Sequence, residues 1–212
     1  MRTSLYFNSP RDVDMLRPVV HWLDNYLIFT DNPVCAGLCK KYKLKYRYVK
    51  DYRILVWEMA KWQPSVFLDF ALCPHLFPRN GSINMYVPSK FHIYLNDSLL
   101  FYDYLLVSNR FNKIDMENFG IQKGKIKIVG YPRFDLAVRG EAVLLQKSEQ
   151  KVFDKYKETK LKGSDAGLKI ASFAKMMGER NNYIYSYPNL SVPHPSFIQK
   201  KEPKHVDKKE AV

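Results

Sequence analysis

The stretch PSVFLDFAL, residues 64–72, decides the fold class because it is almost continuously apolar. A run of this kind is typical of a strand that is covered on both faces, as in the middle of a parallel sheet. Helices must then lie on both sides of that sheet. The stretch therefore predicts an α/β protein.

Strand-like and helix-like segments alternate on both sides of this stretch. Before it, strands are predicted at 3–9, 26–32 and 43–51, and helices at 11–25, 33–42 and 52–62. After it, strands are predicted at 83–87, 102–108 and 125–130, and a helix at 109–120. Strands that alternate with helices of this length form parallel sheets. We expect a Rossmann-like three-layer α/β/α domain with a mostly parallel sheet over residues 1–137.

Two further segments are expected beyond residue 137. Residues 138–199 are interpreted as a helical or irregular extension and the start of an incomplete second domain. Residues 136–163 suit one helix with a charged outer face, and 168–188 contain one possible strand. Residues 200–212 are polar and charged, and we expect a disordered basic tail there.

The net charge of +13 favours anionic partners. No apolar run approaches the roughly 20 residues that span a bilayer, and the first ten residues lack the apolar core of a secretory signal. An intracellular protein is expected. Three cysteines are present, and Cys35 and Cys39 share a helix face. Buried thiols are favoured over a metal site, because no further His or Cys pair follows at ligand spacing.

The turn that ends KIKIVGYPRFD, residues 125–135, carries an arginine and an aspartate where a strand stops. Ligands of open parallel sheets bind beyond the carboxyl ends of the strands. Arg133 could present its planar fork to a phosphate there, as an exposed side chain on the rim formed with Tyr131. Alternatively, Arg133 and Asp135 form a surface pair, and Asp135 caps the helix that follows.

Residues 101–135, FYDYLLVSNRFNKIDMENFGIQKGKIKIVGYPRFD, resemble the end of the N-terminal domain of two-domain GT-B glycosyltransferases. The resemblance points to the branch that includes CDP-glycerol glycerophosphotransferases, and SVFLDFAL and INMYVPSKFH extend it. It implies an acceptor-side domain of a transferase that builds a surface polysaccharide or a teichoic-acid-type polymer. The donor would be CDP- or UDP-linked, and the acceptor anionic or lipid-linked, at the inner face of the membrane.

The resemblance also suggests site residues. Ser89 stands where that family has a histidine, so His92, and more weakly His75, are candidates for the catalytic base. Tyr131, Arg133 and Asp135, with Ser89, are candidates for substrate binding. No metal or cofactor is expected. Because the family holds its nucleotide in a second Rossmann domain, whether this chain is active alone stays open.

Other interpretations remain. The chain could be a binding-only remnant of such an enzyme, or, less favoured, a basic nucleic-acid-binding protein. No GxGxxG or Walker loop occurs in the sequence. The aromatic side chains of the loop-rich region 73–102 could stack on sugars, contact lipid headgroups or form a small core over the sheet. They are Phe77, Tyr86, Phe91 and Tyr94.

Overall fold

The computed structural model describes residues 1–78, 81–90, 93–141, 143, 145–158 and 165–186. Within these residues one sheet contains the strands β1 Thr3–Tyr6, β2 Tyr26–Thr30, β3 Tyr46–Tyr48, β4 Val66–Asp69, β5 Ile83–Tyr86, β6 Tyr104–Val107 and β7 Ile126–Ile128. The α-helices of the same residues are α1 Val13–Val20, α2 Pro33–Lys41, α3 Tyr52–Trp62, α4 Arg110–Asn118, α5 Pro132–Val138, α6 Lys147–Glu158 and α7 Ala166–Ser186. The predicted tail at 200–212 lies outside the described residues.

The strands follow the order β3-β2-β1-β4-β5-β6-β7, and every neighbouring pair is parallel. The chain runs outward from β1 to β3 and then returns to continue on the other side of β1 with β4. The strand order therefore reverses between β1 and β4, which is the position where open α/β sheets bind ligands. The predicted Rossmann-like three-layer fold is confirmed.

Both faces of the sheet are covered, as the apolar strand β4 predicts. On one face, Leu5 of β1 belongs to a buried cluster with Leu16 of α1 and Ile170 of α7. On the other, Tyr6 belongs to a cluster with Leu55 of α3. Neighbouring residues of one strand therefore enter opposite layers, as the two-residue repeat of a strand requires.

A strand within 168–186 is wrong, because these residues lie in the helix α7, and residues 187–188 lie outside the described residues. Ile170 and Ala174 are fully buried at a spacing of four residues, which places both on one helix face. That face packs against α1 and the sheet. The apolar residues of this segment recur at helical spacing, which predicts a helix rather than a strand.

The single helix expected over 136–163 is also wrong. The structure has α5 and α6 instead, and Gly140 follows α5 with a φ of +72°. Glycine adopts this left-handed conformation without the strain that a side chain brings, so it ends the helix.

Gly167→Ala is expected to lower the free energy of unfolding by about 1–3 kcal/mol, which is typical of overpacking. A Cβ atom at Gly167 would lie 2.5 Å from the carbonyl oxygen of Pro18 and 2.6 Å from its carbonyl carbon. Backbone atoms cannot swing aside, so α7 must move away from α1. Urea denaturation measures the effect.

The matched control is Gly37→Ala in α2, where an added Cβ meets nothing within 4 Å. There the change is expected to raise the free energy of unfolding by about 0.5–1 kcal/mol, because alanine is the better helix former. Equal stabilisation by the two substitutions would contradict the close contact between α1 and α7.

Candidate functional site

A cleft of about 250 Å³ opens at the carboxyl edge of the sheet. Its walls are the segments that follow β1, β4 and β5, and they include residues 8–12, 70–72 and 86–90. The cleft therefore lies where the strand order reverses, as the general rule for open α/β sheets predicts.

Asp12 lines this cleft as a buried carboxyl, with a residue exposure of 3%. Burial raises the pKa of Asp12 to about 6, although a hydrogen bond with the Ser89 side chain and the positive charge of Arg133 oppose that rise. A carboxyl with a pKa near 6 suits a general base, since it ionises at neutral pH and still accepts a proton readily.

The segment after β4 is held in place by Asp69. The carboxylate of Asp69 is fully buried and accepts hydrogen bonds from the backbone N–H groups of Ala71 at 2.7 Å and Cys73 at 2.6 Å. It also accepts one from the hydroxyl of Tyr102. Leu72 adopts a φ of +61° between them. Burial raises the pKa of Asp69, and the hydrogen bonds oppose that rise. This network fixes the floor of the cleft.

Arg133 is 1% exposed, so the expectation of an exposed arginine on the rim is wrong. Pro132 begins α5, and Arg133 at its second position turns inward. Its Nη1 donates to Glu149 Oε1 at 3.2 Å, and its Nη2 donates to the carbonyl oxygen of Arg11 at 2.6 Å. Its Nε finds no acceptor in the described part of the chain. Arg133 thus joins α6 to the segment that follows β1.

Tyr131 contacts both Glu149 and the segment that carries Ser89. Its hydroxyl lies 2.7 Å from Glu149 Oε1 and 3.2 Å from the carbonyl oxygen of Ser89. Burial raises the pKa of Tyr131, so the hydroxyl stays protonated and can donate. Tyr131 is 3% exposed and positions the segment that carries Ser89.

Asp135 does not pair with Arg133 and does not cap the helix in which it lies. Its carboxylate accepts hydrogen bonds from the backbone N–H groups of Ala166 at 3.3 Å and Gly167 at 2.7 Å. These are the first residues of α7, and an anion is favourable at the amino end of a helix. The surface-pair interpretation is wrong, because Asp135 is 4% exposed and caps a helix distant in sequence.

Of the two histidines considered as the catalytic base, the structure describes only His75. His92 and Phe91 lie outside the described residues. His75 lies in a turn of 3-10 helix after β4, exposed and edge-on to the ring of Tyr52 at 6.3 Å between centroids. It is not among the described residues that line the cleft. The role of either histidine as a base stays a prediction.

The rim of the cleft is basic. Arg11 and Lys90 line both this cleft and an adjoining hollow of about 400 Å³ that reaches Ser148 at the start of α6. The Arg11 side chain is 40% exposed, and its Nη2 lies 3.8 Å from Glu149 Oε1. Lys90 Nζ lies 4.6 Å from the centroid of the Tyr94 ring. Two cations and hydroxyl-bearing side chains make this rim suitable for a phosphate or carboxylate.

The buried thiols are confirmed, because Cys35 and Cys39 are both fully buried and form no disulfide within the described residues. Burial raises the pKa of Cys35 to about 11 and that of Cys39 to about 12. Among the residues with described positions, no three His, Cys, Asp or Glu side chains are grouped to hold a metal ion. None of the described helices is both long enough and apolar enough to cross a membrane.

No protein-family model and no curated protein matches this chain, but solved structures do. The UDP-GlcNAc 2-epimerase from Methanocaldococcus jannaschii matches 66% of this chain and 48% of that chain, with a TM-score of 0.53 and 14% identity. The Neisseria meningitidis UDP-GlcNAc 2-epimerase bound to UDP-GlcNAc matches 75% and 53%, with a TM-score of 0.51 and 10% identity. The S. aureus MnaA–UDP co-structure matches 73% and 51%, with a TM-score of 0.50 and 10% identity.

Likenesses at these identities establish the fold alone. The chain has the Rossmann-like fold of GT-B enzymes, and it spans about half the length of the solved structures it matches. The GT-B part of the sequence-based resemblance is thereby confirmed. None of these likenesses singles out the CDP-glycerol branch.

Four residues of the site were missed from the sequence: Arg11, Asp12, Lys90 and Glu149. Arg11 and Asp12 follow β1 directly, so the rule that strand ends face the cleft was the available signal. Glu149 had no such signal, because it lies 16 residues after Arg133 in a separate helix and meets it only in the folded chain.

Proposed function

We propose that this chain is the acceptor-side domain of a GT-B-type glycosyl- or glycerophosphoryl-transferase. The observation that carries the proposal is the buried carboxyl of Asp12 in a cleft whose rim holds Arg11 and Lys90. This arrangement combines a candidate base with a site for an anion. It meets the needs of an acceptor that carries both a hydroxyl and a phosphate.

In the proposed reaction, Arg11 and Lys90 hold the phosphate of the acceptor. Asp12 accepts the proton of the acceptor hydroxyl, and the hydroxyl oxygen bonds to the transferred group of the donor. The nucleotide part of the donor leaves with the electron pair of the broken bond. A carboxyl whose pKa is about 6 is ionised at neutral pH and can take this proton.

The donor in this proposal is nucleotide-activated, with UDP- or CDP-linked groups as the candidates. Two of the matched structures contain UDP-GlcNAc or UDP, which supports a nucleotide donor in general. Donor binding is assigned to a second Rossmann-like domain, because the described chain spans about half the length of those structures. The acceptor is assigned to the class of phosphorylated or lipid-linked polyols and sugars used in surface-polymer synthesis.

Calorimetric titration with glycerol 3-phosphate, a sugar phosphate, UDP-GlcNAc and CDP-glycerol tests the proposal. The double change Arg11→Ala and Lys90→Ala is expected to weaken binding of the phosphorylated acceptor by at least about 10-fold, because each charge-assisted hydrogen bond contributes about 1.5–3 kcal/mol. Unchanged binding would overturn the assignment of the cleft.

The matched control is Arg110→Ala with Lys123→Ala, two exposed cations on the α4 side of the sheet. Binding by this variant is expected to equal that of the wild type. If it weakens equally, the net charge of the protein attracts the ligand rather than the cleft. Acceptor binding without transfer, when a donor-binding domain and donor are supplied, would favour the binding-only alternative.

A further inference from the structure

The positive charge of the domain is concentrated on one edge of the sheet. Residues 40–62, which include β3 and α3, contain eight Lys or Arg and two acidic residues, a net charge of +6. The rest of residues 1–146 contains twelve Lys or Arg and eleven acidic residues, a net charge of +1. Since β3 is the edge strand, this charge lies at one end of the molecule.

Both acidic residues of this segment are engaged locally. The Asp51 side chain accepts a hydrogen bond from the backbone N–H of Arg53 and so caps α3. Glu58 pairs with Arg47 of β3, which joins the outer face of α3 to the edge strand. Lys61 Nζ lies 4.0 Å from Glu58 Oε1 and 3.3 Å from the centroid of the Trp57 ring. The remaining cations of the segment are exposed.

Apolar side chains project from the same surface. Ile54 is 51% exposed and Trp57 is 55% exposed, whereas Leu55 and Met59 of α3 are buried against the sheet. Trp57 and Lys61 follow Ile54 by three and seven residues, so the three lie on one side of the helix. Arg53 lies four residues before Trp57 and extends this surface. We define the α3–β3 face as Arg47, Arg53, Ile54, Trp57 and Lys61.

We propose that the α3–β3 face docks this protein onto a bilayer that contains anionic lipids. The negative surface potential of such a bilayer attracts the lysine and arginine side chains of this face. Tryptophan and a neighbouring aliphatic side chain favour the interfacial region of the bilayer, where they can insert. Buried Leu55 and Met59 hold α3 on the sheet, so the helix stays in place while its outer face contacts lipid.

The position of this face relative to the cleft agrees with a lipid-linked acceptor. The ring of Tyr52, the first residue of α3, contacts the ring of His75. His75 follows β4, and the cleft lies at that same carboxyl edge of the sheet. Docking would bring the cleft near the bilayer surface. This consequence rests on the proposed function, whereas the docking itself does not.

A nucleic acid is the other polyanion that a basic surface could bind, and the apolar residues argue against it. A nucleic-acid surface needs cations and stacking rings. It gains nothing from an aliphatic side chain that is half exposed, as Ile54 is. A bilayer interface accommodates both kinds of residue.

Vesicle co-sedimentation tests the proposal with the full chain and no donor or acceptor. Vesicles with 30% phosphatidylglycerol in phosphatidylcholine are expected to bind the protein at least about 10-fold more tightly than phosphatidylcholine alone. The double change Arg53→Gln and Lys61→Gln is expected to weaken binding about 25-fold, from a factor of about five for each cation near the surface. Ile54→Ser with Trp57→Ser is expected to weaken it roughly 10-fold, because the apolar side chains no longer enter the interface.

The matched control is Phe111→Ser with Ile114→Ser, two side chains that are 79% and 41% exposed on α4 near the opposite edge of the sheet. This variant should bind vesicles like the wild type, and an equal loss would overturn the location of the docking face. Binding of a 20-nucleotide RNA without binding of either vesicle would overturn the proposal. Because no acceptor is present, failure here leaves the acceptor titrations with Arg11 and Lys90 variants unaffected.

Discussion

Arg133→Met is expected to lower the free energy of unfolding by about 3–5 kcal/mol, the cost of breaking a buried ion pair by removing one partner. The substitution leaves the carboxylate of Glu149, whose side chain is 3% exposed, without its buried partner, and the half-exposed Arg11 remains 3.8 Å away. It also deprives the carbonyl oxygen of Arg11 of its donor at 2.6 Å. Urea denaturation monitored by tryptophan fluorescence measures the loss.

Two companion variants separate charge from packing. Arg110→Met removes an exposed arginine at the start of α4 and is expected to change stability by less than about 0.5 kcal/mol. Arg133→Met combined with Glu149→Gln is expected to be more stable than Arg133→Met alone by at least about 1 kcal/mol, since in the single variant the buried carboxylate has lost its buried cation and keeps only the half-exposed Arg11 at 3.8 Å. If the double variant is the less stable one, the carboxylate is not the source of the loss.

Asp12→Asn is expected to have the opposite effect on stability from Arg133→Met, because it should raise the free energy of unfolding at pH 7. Burial raises the pKa of Asp12 from 3.8 to about 6, so folding disfavours its ionised form. A difference of this size corresponds to about 3 kcal/mol at pH 7. Asparagine has a similar shape without the charge, so the folded protein no longer carries that cost.

The difference in the free energy of unfolding between Asp12→Asn and the wild type should depend on pH. Below pH 3.8 the Asp12 carboxyl is protonated in both the folded and the unfolded chain, so the variant and the wild type should be equally stable. As pH rises towards 6, the unfolded chain releases the proton first, and the wild type loses stability relative to the variant. Above pH 6 the difference should be constant. A difference that does not change between pH 4 and pH 7 would rule out a raised pKa.

Transfer activity, assayed with a donor-binding domain and donor, should fall in Asp12→Asn if Asp12 is the base. Gain of stability with loss of activity is the pattern of a catalytic group held in an unfavourable environment. Gain of stability with unchanged activity would leave Asp12 as a buried carboxyl with no part in the reaction.

The sheet was predictable from the sequence because its signals are local. The apolar run at 64–72 indicated a strand covered on both faces, and the alternation of strands and helices indicated parallel pairing. The long helix α7 was harder to predict, since short apolar runs suit both strands and helices. Which side of α7 is buried follows from its packing against α1, and the sequence of α7 alone does not show this packing.

The fold rule indicated a cleft at the carboxyl edge of the sheet, but the sequence did not show which strand ends form it. The turn at 130–135 follows β7, but none of its residues is among the described residues that line the cleft or the adjoining hollow. The sequence shows Arg133 beside Pro132 but not its partner Glu149, whose carboxylate arrives from α6. An arginine is seldom buried without a paired group, and here that group is distant in sequence. The local sequence therefore suggests that Arg133 is exposed. The same limit applies to Asp135, which meets α7 across 31 residues of chain.

The packing of α7 against α1 has a consequence for how the protein is made. Residues 166–186 are synthesised after every strand of the described sheet, yet they cover the layer formed by α1 near the first strand. Until α7 leaves the ribosome, the part of this apolar layer that Ile170, Ala171 and Ala174 contact has no cover. The nascent chain must therefore keep this surface from other chains for most of its synthesis, and chaperone binding would be needed most during that interval.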